Sequence, residues 1–211
     1  MGSRGEWERL QGPHAQCGFF GKHMRIIAGK FRSRQLRSLR GSDIRPTSDR
    51  LRETLFDVLC AGNPAALEGS VWLDLFAGTG AVGIEALGRG AAMVYFVESS
   101  KPAAELIRQN LDPLGMAGNF QVLQQDVGRA LPRLALQQVK PGFVFLDPPY
   151  AMQNLYRETL LMLAESELSV EARIIAEHEK KFDPGEQFGK LKRVRRLDQS
   201  DASLSFYRWD S

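Results

Sequence analysis

The sequence predicts an α/β protein built on a mostly parallel sheet. Three observations predict it: short apolar runs alternate with amphipathic segments from Val71 to Glu177, a glycine turn joins the first run to the first helix after it, and a carboxylate closes each of the first four runs. Alternation of this kind implies right-handed crossovers between parallel strands, and open sheets of that type keep their sites beyond the strand carboxyl ends.

Residues 1–23 are rich in glycine and polar residues and show no periodicity, so a disordered extension or a start-site artefact is expected there. A second region, residues 24–60, begins Met24-Arg25-Ile26-Ile27-Ala28-Gly29-Lys30-Phe31-Arg32-Ser33-Arg34-Gln35-Leu36, where apolar pairs broken by Gly29 predict a small β-hairpin. Pro46 with Thr47 or Ser48 then opens a helix whose Leu51, Leu55, Val58 and Leu59 share one face, leaving Arg45, Arg50 and Arg52 for phosphates or the rim of a site.

Residues 61–211 form the third region. Val71–Leu75 reads as a strand with Asp74 at its end, and Gly78, Gly80 and Gly83 spell G-x-G-x-x-G between it and a helix at 84–87. The strand 93–97 ends at Glu98, the strand 120–125 at Asp126, and the strand 143–146 at Asp147, with helices expected at 102–111, 128–136 and 155–164. A fifth strand covers 173–177, and 191–197 with 203–209 flank a turn as a hairpin. Lys190, Lys192, Arg193, Arg195 and Arg196 cluster on that hairpin, read as a solvated edge that discourages further strand pairing.

Composition limits the function. Apolar content of 43% and charged content of 25% suit a globular protein. The longest apolar runs fall far short of the ~20 residues of a membrane span, so a cytoplasmic protein away from membranes is expected. Cys17 and Cys60 stand apart, and His14, His23 and His178 lack ligand spacing, so no metal is expected. Between Lys22 and Glu53, ten basic residues face three acidic ones, an excess of seven; the whole chain nets +3, so the remainder carries −4. A basic arm on an acidic body suits a polyanion-binding enzyme.

The chemistry concentrates at Asp147-Pro148-Pro149-Tyr150. Asp-Pro-Pro by itself is as readily a turn. Placed after a buried strand, however, two rigid prolines can aim a carbonyl and a carboxylate at one spot beside the Tyr150 ring, a pair of acceptors for an exocyclic amino group on a flat base. Four rim carboxylates would repel a pyrophosphate, which disfavours a dinucleotide dehydrogenase. They suit the sulfonium, amine and ribose of S-adenosyl-L-methionine.

Together these residues resemble the bacterial 16S ribosomal RNA guanine-N2 methyltransferase family called methyltransferase D. The resemblance runs from Met24 to about Trp209, through Met24–Gly29, Arg45-Pro46-Thr47 with Arg50 and Glu53, Leu73–Gly80, Asp147–Tyr150 and Leu204–Arg208. It implies a Rossmann-like S-adenosylmethionine-dependent methyltransferase fold, seven-stranded and mostly parallel with an antiparallel last strand. It further implies that Asp74, Phe76, Ala77, Gly78, Thr79, Gly80 and Gly83 face the methionine end of the cofactor, Glu98 the ribose and Asp126 the adenine. Asp147, Pro148, Pro149 and Tyr150 would take the target base. Arg25, Lys30, Arg32, Arg34, Arg45, Thr47 and Arg50 are the expected RNA contacts, on 16S ribosomal RNA in a small-subunit ribonucleoprotein, and a monomer is expected. An adenine-N6 methyltransferase is the alternative, because the same tetrapeptide serves other exocyclic amines. A non-enzymatic assembly factor would show broken cofactor residues, and these are intact.

Overall fold

The computed structural model describes residues 24–38, 48–116 and 118–210. The expected extension at 1–23 lies outside them, as do Arg45, Pro46 and Thr47. Met24–Arg25 (β1) and Gln35–Leu36 (β2) pair antiparallel around a 3-10 turn at Gly29–Phe31, giving the hairpin the sequence predicts. Helix α1 spans Asp49–Cys60, and the Ser48 hydroxyl caps it by accepting from Leu51 N–H at 3.2 Å. Then follow β3 (Val71–Leu75), α2 (Ala81–Gly88), β4 (Met93–Val97), α3 (Lys101–Leu111), β5 (Phe120–Leu123), α4 (Val127–Leu136), β6 (Phe143–Leu146) and α5 (Asn154–Ala164). The chain closes with β7 (Arg173–Glu179), β8 (Gln187–Phe188), β9 (Leu191–Gln199) and β10 (Ala202–Trp209).

One sheet runs in the order β5-β4-β3-β6-β7-β10-β9-β8. Its first five strands are mutually parallel, and β10 enters antiparallel between β7 and β9. The two-residue β8 extends the antiparallel edge by one strand beyond the expected seven. Strand β5 stops at Leu123, two residues short of expectation, because Gln125 N–H bonds Leu123 O and turns the chain toward α4.

Apolar alternation along the strands feeds two cores, one on each sheet face. The face under α1, α2 and α3 buries Trp72 stacked between Phe56 and Phe143, with centroids 5.5 and 5.3 Å away. The opposite face buries Leu73, Val144 and Ile174 against α4 and α5. Met24, Ile26, Phe31 and Leu36 of the hairpin belong to the first core, so the arm is packed into the body rather than hung from it.

Helix α2 is buried along its whole length because the sheet lies on one side and the hairpin on the other. That contact is close enough to exclude a side chain. A Cβ on Gly29, whose φ is +77°, would stand 2.0 Å from the Gly88 carbonyl oxygen. Glu85, in the middle of α2, accepts from Ile27 N–H at 2.7 Å and Ala28 N–H at 2.9 Å, and from Arg89 Nε at 3.0 Å. Arg52 Nε lies 3.9 Å away from the same carboxylate.

Arg52 corrects one expectation. It is fully buried rather than available for phosphates, and its Nη2 donates to Arg25 O and to Asp49 at 2.9 Å. The reason is helical phase: Arg52 follows Leu51 onto the side of α1 that meets the hairpin, where Glu85 and Asp49 supply counter-charge.

Candidate active site

The glycine turn begins as strain. Phe76, directly after β3, holds φ = +62°, a conformation worth about 1–3 kcal/mol in a non-glycine residue. Hydrogen bonds on both sides impose it: Ala77 N–H donates to Val97 O at 3.0 Å, and Gly80 N–H closes back on Ala77 O at 2.7 Å. The turn therefore projects Phe76, Ala77, Gly78 and Thr79 into a cavity of about 790 Å³ at the carboxyl end of the parallel strands. A volume of that order fits a cofactor and a base together.

Gly80 and Gly83 work behind this wall. At Gly83 a Cβ would meet the Phe96 ring at 2.3 Å and Asp74 Oδ2 at 2.9 Å, so glycine there lets α2 close onto the sheet. Gly80 is left-handed (φ +78°) and has Ile107 of α3 at 3.2 Å from its would-be Cβ.

The four strand-end carboxylates meet different fates. Asp74 is not at the tip of its strand, since β3 continues to Leu75. It is buried, and Oδ2 accepts from Gly83 N–H at 2.9 Å. Burial, with a smaller contribution from Glu98, pushes its carboxyl up to about 8 against the lowering effect of that hydrogen bond. Glu98 is oriented by two backbone donors, Gly78 N–H at 2.8 Å and Ser100 N–H at 2.7 Å, one on each oxygen. Each oxygen keeps a second lone pair, which is what a ribose diol would need. Asp126 caps α4 by accepting from Arg129 N–H at 2.9 Å and shares the cavity wall with Gln125, whose side-chain nitrogen finds no acceptor among the described residues. An adenine ring, with acceptor nitrogens and an exocyclic amine, suits that donor and that carboxylate. The donor set fits S-adenosylmethionine.

Asp147 follows β6 directly, and it lines the same cavity as Pro148, Pro149, Tyr150 and Glu98. Tyr156 on α5 buttresses the motif from the buried side: its hydroxyl donates to Glu177 O at 2.8 Å and stands 3.3 Å from Pro148 O. Burial raises the Tyr156 hydroxyl well above its usual range, so it remains a donor. One proton cannot satisfy two carbonyls, and the nearer one takes it. Pro148 O thus retains accepting capacity. Met152 N–H bonds Pro149 O at 2.7 Å, a turn that brings Met152 into the cavity lining.

A model of the family described as Conserved hypothetical protein 95 matches residues 24–208. Ribosomal RNA small subunit methyltransferase D of Haemophilus influenzae is 37% identical over 177 residues, covering 82% of this chain and 85% of its own. The chain belongs to the methyltransferase D family. A Bacillus subtilis relative, provisionally named as the rRNA methyltransferase YlbH, is 32% identical over 185 residues, 88% of this chain and 98% of its own length. Among solved structures, an Escherichia coli protein provisionally named methyltransferase yhhF superposes with a TM-score of 0.72 at 28% identity, covering 89% of this chain and 98% of the other. The Rossmann-like methyltransferase fold expected from the sequence is the fold of this family.

The expected RNA contacts divide. Arg25, Lys30, Arg32, Arg34 and Arg50 are exposed on the hairpin and at the start of α1, and among the described residues Arg32 and Arg34 have no ion-pair partner. Arg45 and Thr47 lie outside the described residues. Three residues with a bearing on the site carried no sequence motif: Gln125, Tyr156 and Glu85. The last did leave a trace, as a lone acid inside the apolar run Ala81–Gly88, a pattern that demands a partner.

Proposed function

We propose that this protein transfers a methyl group from S-adenosylmethionine to the exocyclic N2 amino group of a guanine in small-subunit ribosomal RNA, in a ribonucleoprotein context. The observation that carries the reading is the sharing of one cavity by Asp147–Tyr150, the glycine turn and Glu98. When bound, the cofactor supplies an electrophilic methyl group on positively charged sulfur.

The chain's residues do the rest. Glu98 holds the ribose hydroxyls and Asp126 with Gln125 the adenine edge, while Gly78 and Thr79 line the methionine end. A guanine leaves its stack to reach the pocket, at a cost of a few kcal/mol, and Tyr150 replaces the lost stacking. Asp147 and the Pro148 carbonyl accept the two amino hydrogens, which turns the nitrogen's remaining density outward. Holding reactants this way contributes up to roughly 7–11 kcal/mol. Asp147 also opposes the positive charge that develops on the amine and takes its proton.

The test is incubation with methyl-labelled S-adenosylmethionine and unmodified small-subunit RNA, naked and as ribonucleoprotein, followed by nucleoside analysis. Labelled N2-methylguanosine is expected. Labelled N6-methyladenosine would replace the guanine reading with the adenine one, and absence of label in both substrates would end it. Asp147→Asn should lower kcat by about 10²–10³-fold with S-adenosylhomocysteine affinity retained; wild-type turnover would remove Asp147 from the chemistry.

A further inference from the structure

The glycine turn is tethered on two sides, and one tether is the arm. On the cavity side, Gly78 N–H is held by Glu98. On the other, Thr79 O accepts from Asn110 Nδ2 at 3.0 Å. The same amide grips the strand leaving the hairpin: Asn110 Oδ1 accepts from Arg37 N–H at 2.8 Å, and Nδ2 donates to Arg37 O at 3.1 Å. One donor and two carbonyls around the amide permit a single orientation of it. Asn110 is 3% exposed, so water does not compete for these bonds.

Neighbouring contacts repeat the connection. Thr79 Oγ1 lies 3.7 Å from Met24 Sδ of β1, and Arg37 Nη1 bonds Gln109 at 3.3 Å beside Asn110. Helix α3 carries both tethers. Its Ser100 cap delivers the second N–H to Glu98, its last turn carries Asn110, and its Ile107 packs at 3.2 Å on the position a Cβ would take at Gly80. A close-packed link of this kind transmits a constraint rather than absorbing it.

From this geometry we propose that Asn110 is a positioning residue that makes the basic arm part of the cofactor site, so that RNA on the arm and cofactor in the glycine turn bind cooperatively. The proposal rests on reading the arm as the RNA contact. RNA that fixes the arm fixes Thr79 O through Asn110, and the turn then has less freedom left to lose when the cofactor binds. Linkage makes the effect reciprocal: cofactor in the turn tightens RNA on the arm by the same factor.

The experiment measures S-adenosylhomocysteine affinity by calorimetry with and without saturating unmodified small-subunit RNA. RNA should tighten it by about fivefold or more in the wild type, and Asn110→Ala should bring the ratio near one while the RNA affinity of the cofactor-free protein stays within about twofold of wild type. A wild-type ratio of one overturns the proposal, as does an undiminished ratio in the folded variant. Should Asn110→Ala fail to fold, hydrogen exchange in the wild type decides: RNA should slow the amides of Gly80 and Ala81, and unchanged exchange overturns the proposal. Failure of the underlying reading looks different, because RNA would then bind Arg32→Ala/Arg34→Ala protein as tightly as wild type.

Discussion

The hairpin arm and the antiparallel edge are similarly basic in sequence and opposite in structure. On the arm, Arg32 and Arg34 stand exposed without ion-pair partners among the described residues. At the edge, Arg193 meets Asp183 at 2.6 Å and Glu186 at 3.1 Å, and Arg196 meets Asp198 at 3.0 Å and Asp183 at 3.4 Å. Lys190 lies over the Trp209 ring, 5.0 Å from its centroid. Arg193 and Arg196 of the edge therefore spend their charge internally, whereas the charge of Arg32 and Arg34 on the arm is available to a polyanion. Counting cations along a chain measures supply; the pairing of those cations decides what is left for a ligand.

The sharpest way to break the contrast is to cut the arm from the body. Glu85→Ala removes the acceptor for Ile27 and Ala28 N–H and leaves Arg52 buried with Asp49 as its remaining carboxylate. A loss of about 3–5 kcal/mol is expected in urea unfolding, together with weakened RNA binding. Removing charge without cutting the tether comes next. Arg32→Ala/Arg34→Ala should weaken RNA binding on the order of tenfold and flatten its salt dependence by about one unit of slope per lost phosphate contact, as a filter-binding series in salt would show.

On the edge side, acid is a finer probe. His178, between Glu179 O at 2.8 Å and Ser205 Oγ at 2.9 Å, is held below its usual range chiefly by burial. A histidine whose folded value is depressed binds its proton more readily when unfolded, so its contribution is present above about pH 6.5 and is lost as pH falls below that. Stability should drop by at most about 1.4 kcal/mol per pH unit there, and His178→Gln should show a shallower loss in the same titration. The smallest effect belongs to Lys192→Ala, whose ion pair with Asp210 spans 3.9 Å between two exposed side chains: under about 1 kcal/mol of stability, and unchanged RNA affinity. An RNA defect in that variant would erase the contrast.

Much of this was readable beforehand because it depends on local periodicity. Strands β3, β4 and β6 have the predicted bounds, and the helices gain only a few terminal residues, where caps such as Ser100 and Asp126 extend the first turn. Asp147 and Glu98 both line the cavity, as expected of residues that directly follow parallel strands. Asp74 lines the same cavity, but as the penultimate residue of β3 it is buried, with Oδ2 held by Gly83 N–H. Gly83 reads as part of a nucleotide signature, and here its lack of a side chain lets α2 close on the Phe96 ring while its N–H bonds Asp74.

The amino-acid sequence by itself determined the order of strands and helices, the glycine turn and the Asp-Pro-Pro-Tyr rim, because each is written in neighbouring residues. Only tertiary structure decided that Arg52 faces Glu85, that Asn110 joins Arg37 to Thr79 across 73 and 31 residues, and which cations remain free. Those outcomes follow from which buried polar groups find partners when distant segments meet, and no local pattern encodes that meeting.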